Sequence, residues 1–166
     1  MKDNINGKRN GKGKKYDYNG KLKFEGEYLN GERNGHGKEY YKEGNIKFEG
    51  EYFNGERNGK GKEFNENGRL EFEGEFLNGE RNGKGKEYSP NGELIFEDEY
   101  INGKKWNGKG KEYYYHTHRL KFEGEYLNGK RNGKGKEYNY DRLISKENIQ
   151  MEREMEKEKN IINLDY

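Results

Sequence analysis

One stretch of this chain spells a chemical motif. GKKWNGK, residues 103–109, fits the phosphate-cradling G-x-x-x-x-G-K loop. In such a loop, backbone N–H groups at a strand-to-helix junction hold the phosphates, and a following Ser or Thr holds magnesium. Gly110 stands where that hydroxyl is needed, and turn residues rather than a helical pattern surround the motif, so nucleotide binding is not expected. His116 and His118 can share one side of an extended segment, but no third ligand accompanies them at a fixed spacing, and no metal site is expected. Ser89, Ser145 and Thr117 are the only Ser and Thr residues, there is no Cys, and no Asp or His is spaced to activate a nucleophile. Glu25 and Glu27 recur as a pair in copy after copy beside lysines; they read as a solvated face with cross-strand pairing, not as an acid–base dyad. No catalytic residue, cofactor or small-molecule substrate follows from these residues.

The elements that would position any such group are written as a repeat. Phe24, Phe48, Phe72 and Phe96 recur every 24 residues, and Phe122 follows after 26. In LKFEGEYL, Leu22, Phe24, Gly26 and Tyr28 alternate with Lys23, Glu25 and Glu27, the period-2 pattern of a half-buried strand. A second strand, GKEYY, adds Tyr40 as a third packing ring. NGERNG makes the turn between the two, and Asn19-Gly20, Asn67-Gly68 and Asn91-Gly92 make the turns that lead to the next copy. Gly26, Gly50, Gly74 and Gly124 fall between two rings on the inward face, where the missing side chain leaves room for a ring to lie across the strand. A single copy has too few apolar groups to offset the entropy of ordering it, so copies must stack and share their rings.

The pattern F-E-G-E-Y-x-N-G-x-x-N-G-x-G-K-E-Y resembles the MORN repeat over about residues 6–140: a half-copy at 6–23, then copies starting near 24, 48, 72, 96 and 122. The resemblance implies an all-β fold, a single-layer twisted antiparallel ribbon or solenoid of consecutive β-hairpins. It also implies a surface that docks protein partners, self-associates or touches phospholipid headgroups. A weaker similarity to bacterial repeat proteins of antitoxin type implies an immunity-like alternative in which the chain occludes a partner. About eleven strands are expected.

Two regions depart from the repeat. In the fourth copy Asp98 replaces the inward glycine, the turn NGKKWNG is one residue longer, and the connector YYYHTHRLK lacks glycine. These changes gather Lys104, Lys105, Trp106, Tyr114, Tyr115, His116 and His118 as a candidate partner-binding patch, since Trp, Tyr and basic residues anchor interfaces; a tolerated insertion that kinks the ribbon is the plainer reading. After residue 140 the composition turns helix-forming, and Ile144, Met151, Met155 and Ile162 line one helical face. Residues 141–166 therefore read as a charged amphipathic helix that caps the last strand edge or mediates self-association.

Composition narrows the partners. Only 27% of the residues are hydrophobic and 40% are charged, with a net charge of +2, so no global electrostatic argument for nucleic acid exists. Rings committed to packing could not serve as stacking platforms for bases. The half-copy carries the densest positive charge, at Lys8, Arg9, Lys12, Lys14 and Lys15, a candidate contact for anionic headgroups. No segment approaches the ~20 apolar residues of a transmembrane helix, and the expected location is cytoplasmic, with a peripheral membrane position as the alternative. The expected function is a non-catalytic scaffold or adaptor that binds a protein partner or a second copy of itself; anionic phospholipid binding is the runner-up.

Overall fold

A computed structural model describes residues 8–114, 117, 119–139 and 142–148 as one open antiparallel sheet of twelve strands. In chain order these are β1 (Gly11–Tyr16), β2 (Leu22–Leu29), β3 (Glu32–Tyr40), β4 (Ile46–Phe53), β5 (Glu56–Phe64) and β6 (Leu70–Leu77). They continue as β7 (Glu80–Tyr88), β8 (Leu94–Ile101), β9 (Lys104–Tyr113), β10 (Leu120–Leu127), β11 (Lys130–Asn139) and β12 (Arg142–Asn148). Each strand pairs only with its sequence neighbours, so the sheet is a meander in a single layer.

The turns follow from their residues. Asn30 and Gly31 both have positive φ (52° and 91°), as the two-residue hairpin turn between β2 and β3 requires. The four connectors that lead from β1, β3, β5 and β7 are closed by a glycine at positive φ whose N–H donates three residues back, as Gly20 does to the Asp17 carbonyl (3.1 Å).

A single layer must make its core on one face. Tyr28, Phe24, Tyr52, Phe48, Phe76, Phe72, Tyr100, Phe96, Tyr126 and Phe122 form an unbroken zigzag of edge-to-face rings, with centroids 5.0–5.8 Å apart. The phenylalanines of this row are almost wholly buried. The glycines explain how. Gly26 faces Gly37 across the β2–β3 pair, and the Phe24 ring lies flat over both; a Cβ on Gly26 would sit 2.6 Å from the Gly37 Cα and 2.7 Å from Phe24 Cζ. The ring across the strand thus comes from the strand's own residue two positions earlier.

Two expectations are corrected. The helix expected from residue 141 is absent from 142–148, which form β12; Ile144 is an exposed residue of that strand. The unpaired edge of β11 has backbone groups to satisfy, and pairing them outweighs local helix preference. Met151, Met155 and Ile162 lie outside the described residues. Second, Tyr40 does not join the ring row. Tyr40 alternates with Glu39 along β3 and so falls with Lys38 on the face opposite the rings, where its hydroxyl donates to Glu25 (2.6 Å).

Candidate docking face

The two faces of the sheet differ in what they leave available. Over the ring row lies a lid of ions. The Arg33, Arg57, Arg81 and Arg131 guanidiniums sit 4.2–4.4 Å above Phe24, Phe48, Phe72 and Phe122. Glutamates link them laterally: Glu39 accepts from Arg33 (2.7 Å) and Arg57 (2.8 Å), and Glu63 from Arg57 (2.7 Å) and Arg81 (2.6 Å). The Tyr52 and Tyr100 hydroxyls donate to Glu39 and Glu87 from below. Burial pushes the Glu39 carboxyl up, but the hydrogen bonds and charges of Arg57, Tyr52 and Arg33 outweigh it and hold the carboxyl below its ordinary value. Burial and Glu87 raise the Tyr100 hydroxyl strongly. Rings and ions on this face are already used, and the rings cannot stack with bases.

The other face is open. Residues flanking each glycine point there, so strands of Lys type alternate with strands of Glu type. Lys14–Glu25 (3.1 Å), Lys38–Glu49 (3.3 Å), Lys62–Glu73 (3.2 Å) and Lys86–Glu97 (3.1 Å) form one ladder across the strands. A second, parallel ladder behaves differently. Its glutamates Glu27, Glu51, Glu75 and Glu125 fold over the positive-φ glycines Gly35, Gly59, Gly83 and Gly133 inside the paired strands; the Glu75 carboxylate accepts from the Lys84 N–H (3.3 Å) and Glu125 from the Lys134 N–H (3.1 Å). The side chains of Lys12, Lys60, Lys84 and Lys134 consequently have no carboxylate within ion-pair distance among the described residues. Between the ladders runs a trough floored by the glycine row Gly13, Gly26, Gly37, Gly50, Gly61, Gly74 and Gly85. It extends over β1–β8, roughly 34 Å at ~4.8 Å per strand, and encloses about 1160 Å³. Tyr40 and Tyr88, held by Glu25 and Glu73, stand beside it with hydroxyls pushed up to about 12 by burial and by those carboxylates.

The trough stops at Asp98. Regular copies set glycine opposite glycine at this point, as at Gly50↔Gly61, but Asp98 carries a Cβ that the regular register has no room for. The β8–β9 pair is slipped by two residues: Asp98 (φ 134°) faces Gly108, and Gly110 faces Phe96. Slipping by two keeps every side chain on its proper face. Where a regular copy sets two steps of one strand, Gly50 to Tyr52, against four of the next, Gly61 to Arg57, the fourth copy sets Asp98 to Tyr100 against only three, Gly108 to Lys105, so the two-residue slip takes up the extra residue of β9 together with one residue of the usual bulge. A second trough, of about 800 Å³, then continues over β8–β12.

The patch expected from the fourth copy is divided by this geometry. Lys104 is exposed at the start of β9. Lys105 takes the place of the ring-covering arginine, 5.3 Å above Phe96 and 3.4 Å from Glu87. Trp106 is half-buried, its carbonyl accepting from the Gly129 N–H (2.8 Å) and its ring against that turn. Tyr114 donates to the Tyr138 carbonyl (3.1 Å), the same role Tyr41 plays toward Phe64 (2.8 Å). Tyr115, His116 and His118 lie outside the described residues. The basic half-copy is divided too: Lys12 and Lys14 line the trough, whereas Arg9 lies 4.7 Å above the Tyr28 ring and Lys15, opposite Phe24, takes the ring-face position of Glu39. Lys8 is exposed and lies beside the Gly31 turn. The GKKWNGK motif is turn and strand throughout, and β9 runs on directly after it to Tyr113. The trough itself was missed from sequence; its signal was the charge alternation at positions flanking each glycine.

Compared with known protein families, residues 24–46, 48–68, 72–93 and 122–142 match the MORN repeat, and residues 9–30 match a MORN repeat variant. These five segments do not include residues 94–121, the copy with Asp98 and the longer turn. No curated protein matches the chain.

Proposed function

Because the chain belongs to the MORN repeat family, we propose that it is a non-catalytic scaffold that holds a protein partner along its Lys/Glu face. One observation carries this reading: a single-layer sheet whose ring face is sealed by arginine and glutamate, and whose other face keeps a trough crossing eight strands. A long, shallow, glycine-floored channel suits an extended or helical protein segment rather than a small substrate. Its walls offer charges of both signs at the strand spacing, which favours register and partner choice more than raw affinity. The family is generally non-enzymatic, which supports a binding role over a catalytic one. The alternative of headgroup binding by Lys8, Arg9, Lys12, Lys14 and Lys15 gains no support from their division between faces.

Photo-crosslinking in the native cell tests the proposal. A photoreactive amino acid replacing Lys60, in the trough, is expected to capture one defined protein band; the same group replacing Glu56, at a hairpin turn, is expected to capture none. Equal capture from both positions, or none from Lys60 and from Lys84, refutes the trough as the docking face.

A further inference from the structure

Resting on that reading, we infer that the second trough, over β8–β12, is a subsite for an acidic segment of a protein partner. In the regular copies each lysine of the first ladder pairs with the glutamate of the following strand, as Lys62 does with Glu73. At the end of the sheet that order breaks. Across β11–β12, Lys136 faces Lys146, where the equivalent Lys38 faces Glu49. Like charges directly opposite are destabilising, and Lys136 turns back to Glu123 instead (2.8 Å). That takes the carboxylate Lys111 would use. The slip at Asp98 removes its other candidate: Phe96 faces Gly110 and Glu97 faces Lys109, so one residue further along the ladder Lys111 lies level with Ile95. Ile95 is itself a departure, since the equivalent positions hold Lys23, Lys47, Glu71 and Lys121.

The result, among the described residues, is a trough lined by five lysines and three glutamates, whereas the first trough balances seven lysines and a histidine with seven acidic residues. Lys109, Lys111, Lys134 and Lys146 have no carboxylate within ion-pair distance among the described residues. Leu94, 39% exposed, and Ile95 form an apolar shoulder at one end. Unpaired ammonium groups spread from β9 to β12, over about 14 Å of strand spacing, beside an apolar step, match a chain that carries several carboxylates and an aliphatic side chain. A bilayer presents its phosphates on a plane, which fits a convex cationic rim better than a channel between two rows of side chains.

The test uses the full chain and a fluorescein-labelled peptide of repeated Glu-Glu-Leu-Gly units, with the Gln-Gln-Leu-Gly peptide and vesicles containing phosphatidylserine as comparisons, read by anisotropy and sedimentation. The acidic peptide is expected to bind in a salt-dependent way and its glutamine counterpart not to. Replacing Lys111, Lys134 and Lys146 together with Gln is expected to weaken binding by about tenfold or more, at a few-fold per exposed ion pair. Replacing Lys12, Lys60 and Lys84 with Gln is expected to leave it within about twofold, and Ile95→Lys to weaken it. Circular dichroism confirms that each variant folds. Absence of acidic-peptide binding overturns the inference, as do equal losses from both lysine sets. Binding of the vesicles through the same three lysines without peptide binding overturns it in favour of a membrane. None of these results touches the crosslinking from Lys60, which judges the docking-face reading separately.

Discussion

Gly50→Ala is expected to destabilise the sheet far more than a glycine-to-alanine change elsewhere in the same copy. A methyl on Gly50 would lie 2.6 Å from the Gly61 Cα, 2.6 Å from the Lys60 carbonyl oxygen and 2.8 Å from Phe48 Cζ. Two of these atoms are backbone of the paired strand and the third belongs to a ring locked between Tyr52 and Phe76, so none can turn aside. Relief requires β4 and β5 to part or to slip, as β8 and β9 do at Asp98. Overpacking of this kind costs about 3 kcal/mol, which for a chain of this size lowers the melting temperature by about 6–12 °C. Gly55→Ala is the control: nothing lies within 4 Å of a Cβ there, and only its φ of 87° is unfavourable, worth about 1–2 kcal/mol. Both changes restrict the unfolded chain equally, so their difference isolates the close approach. Thermal and urea denaturation followed by circular dichroism reads it. If Gly50→Ala melts no lower than Gly55→Ala, the ring does not lie across the glycine pair and the account of the core is wrong.

The ion lid gives a second contrast. Arg57→Ala removes the cation above Phe48 and leaves Glu39 and Glu63 with one guanidinium each, from Arg33 and Arg81, so it should cost about 2–3 kcal/mol, whereas Lys62→Ala, at an exposed pair, should cost under about 1 kcal/mol; urea midpoints distinguish them. Tyr52→Phe should cost about 1 kcal/mol by deleting the bond to Glu39, but Tyr28→Phe should cost nothing measurable, because the buried Tyr28 hydroxyl has no partner among the described residues, Lys15 standing where Glu39 stands for Tyr52. The Glu39 and Glu112 carboxyls lie below their ordinary value of 4.5, Glu39 despite burial and Glu112 chiefly through Arg131. Their stabilisation is therefore full above pH 4.5 and is lost as pH falls through the lower folded values; Glu39→Gln should flatten that acid limb in melting-temperature profiles. Tyr40 and Tyr88 act in the opposite direction: raised from 10 to about 12, they stabilise fully below pH 10 and progressively less toward pH 12, and Tyr40→Phe should remove a component near pH 12 from the tyrosinate absorbance titration.

Much of this was legible before any coordinates. The 24-residue period, the Asn-Gly turns and the alternation around Phe24, Gly26 and Tyr28 are local signals, and the hairpin meander follows from them because each strand pairs only with its neighbours. Asp98 was visible as a departure from the repeat. Its consequence, a two-residue slip that divides one trough into two, was not, because register depends on how a Cβ meets the facing strand. The helix read from residue 141 failed at 142–148 for the same class of reason: Leu143, Ile144 and Ser145 follow whatever satisfies the open edge of β11, a partner that no local window contains. Lys105 read as a binding residue and turned out to take an arginine's place over Phe96.

What the amino-acid order determined by itself was the set of strands, their turns and the face on which each ring belongs, since these depend on backbone preference and side-chain parity over a few residues. Pairing decided the rest. Which glutamate a lysine meets, which hydroxyl goes without an acceptor and which ammonium groups remain unpaired are set across strands, where one residue's carboxylate can be taken by another's charge.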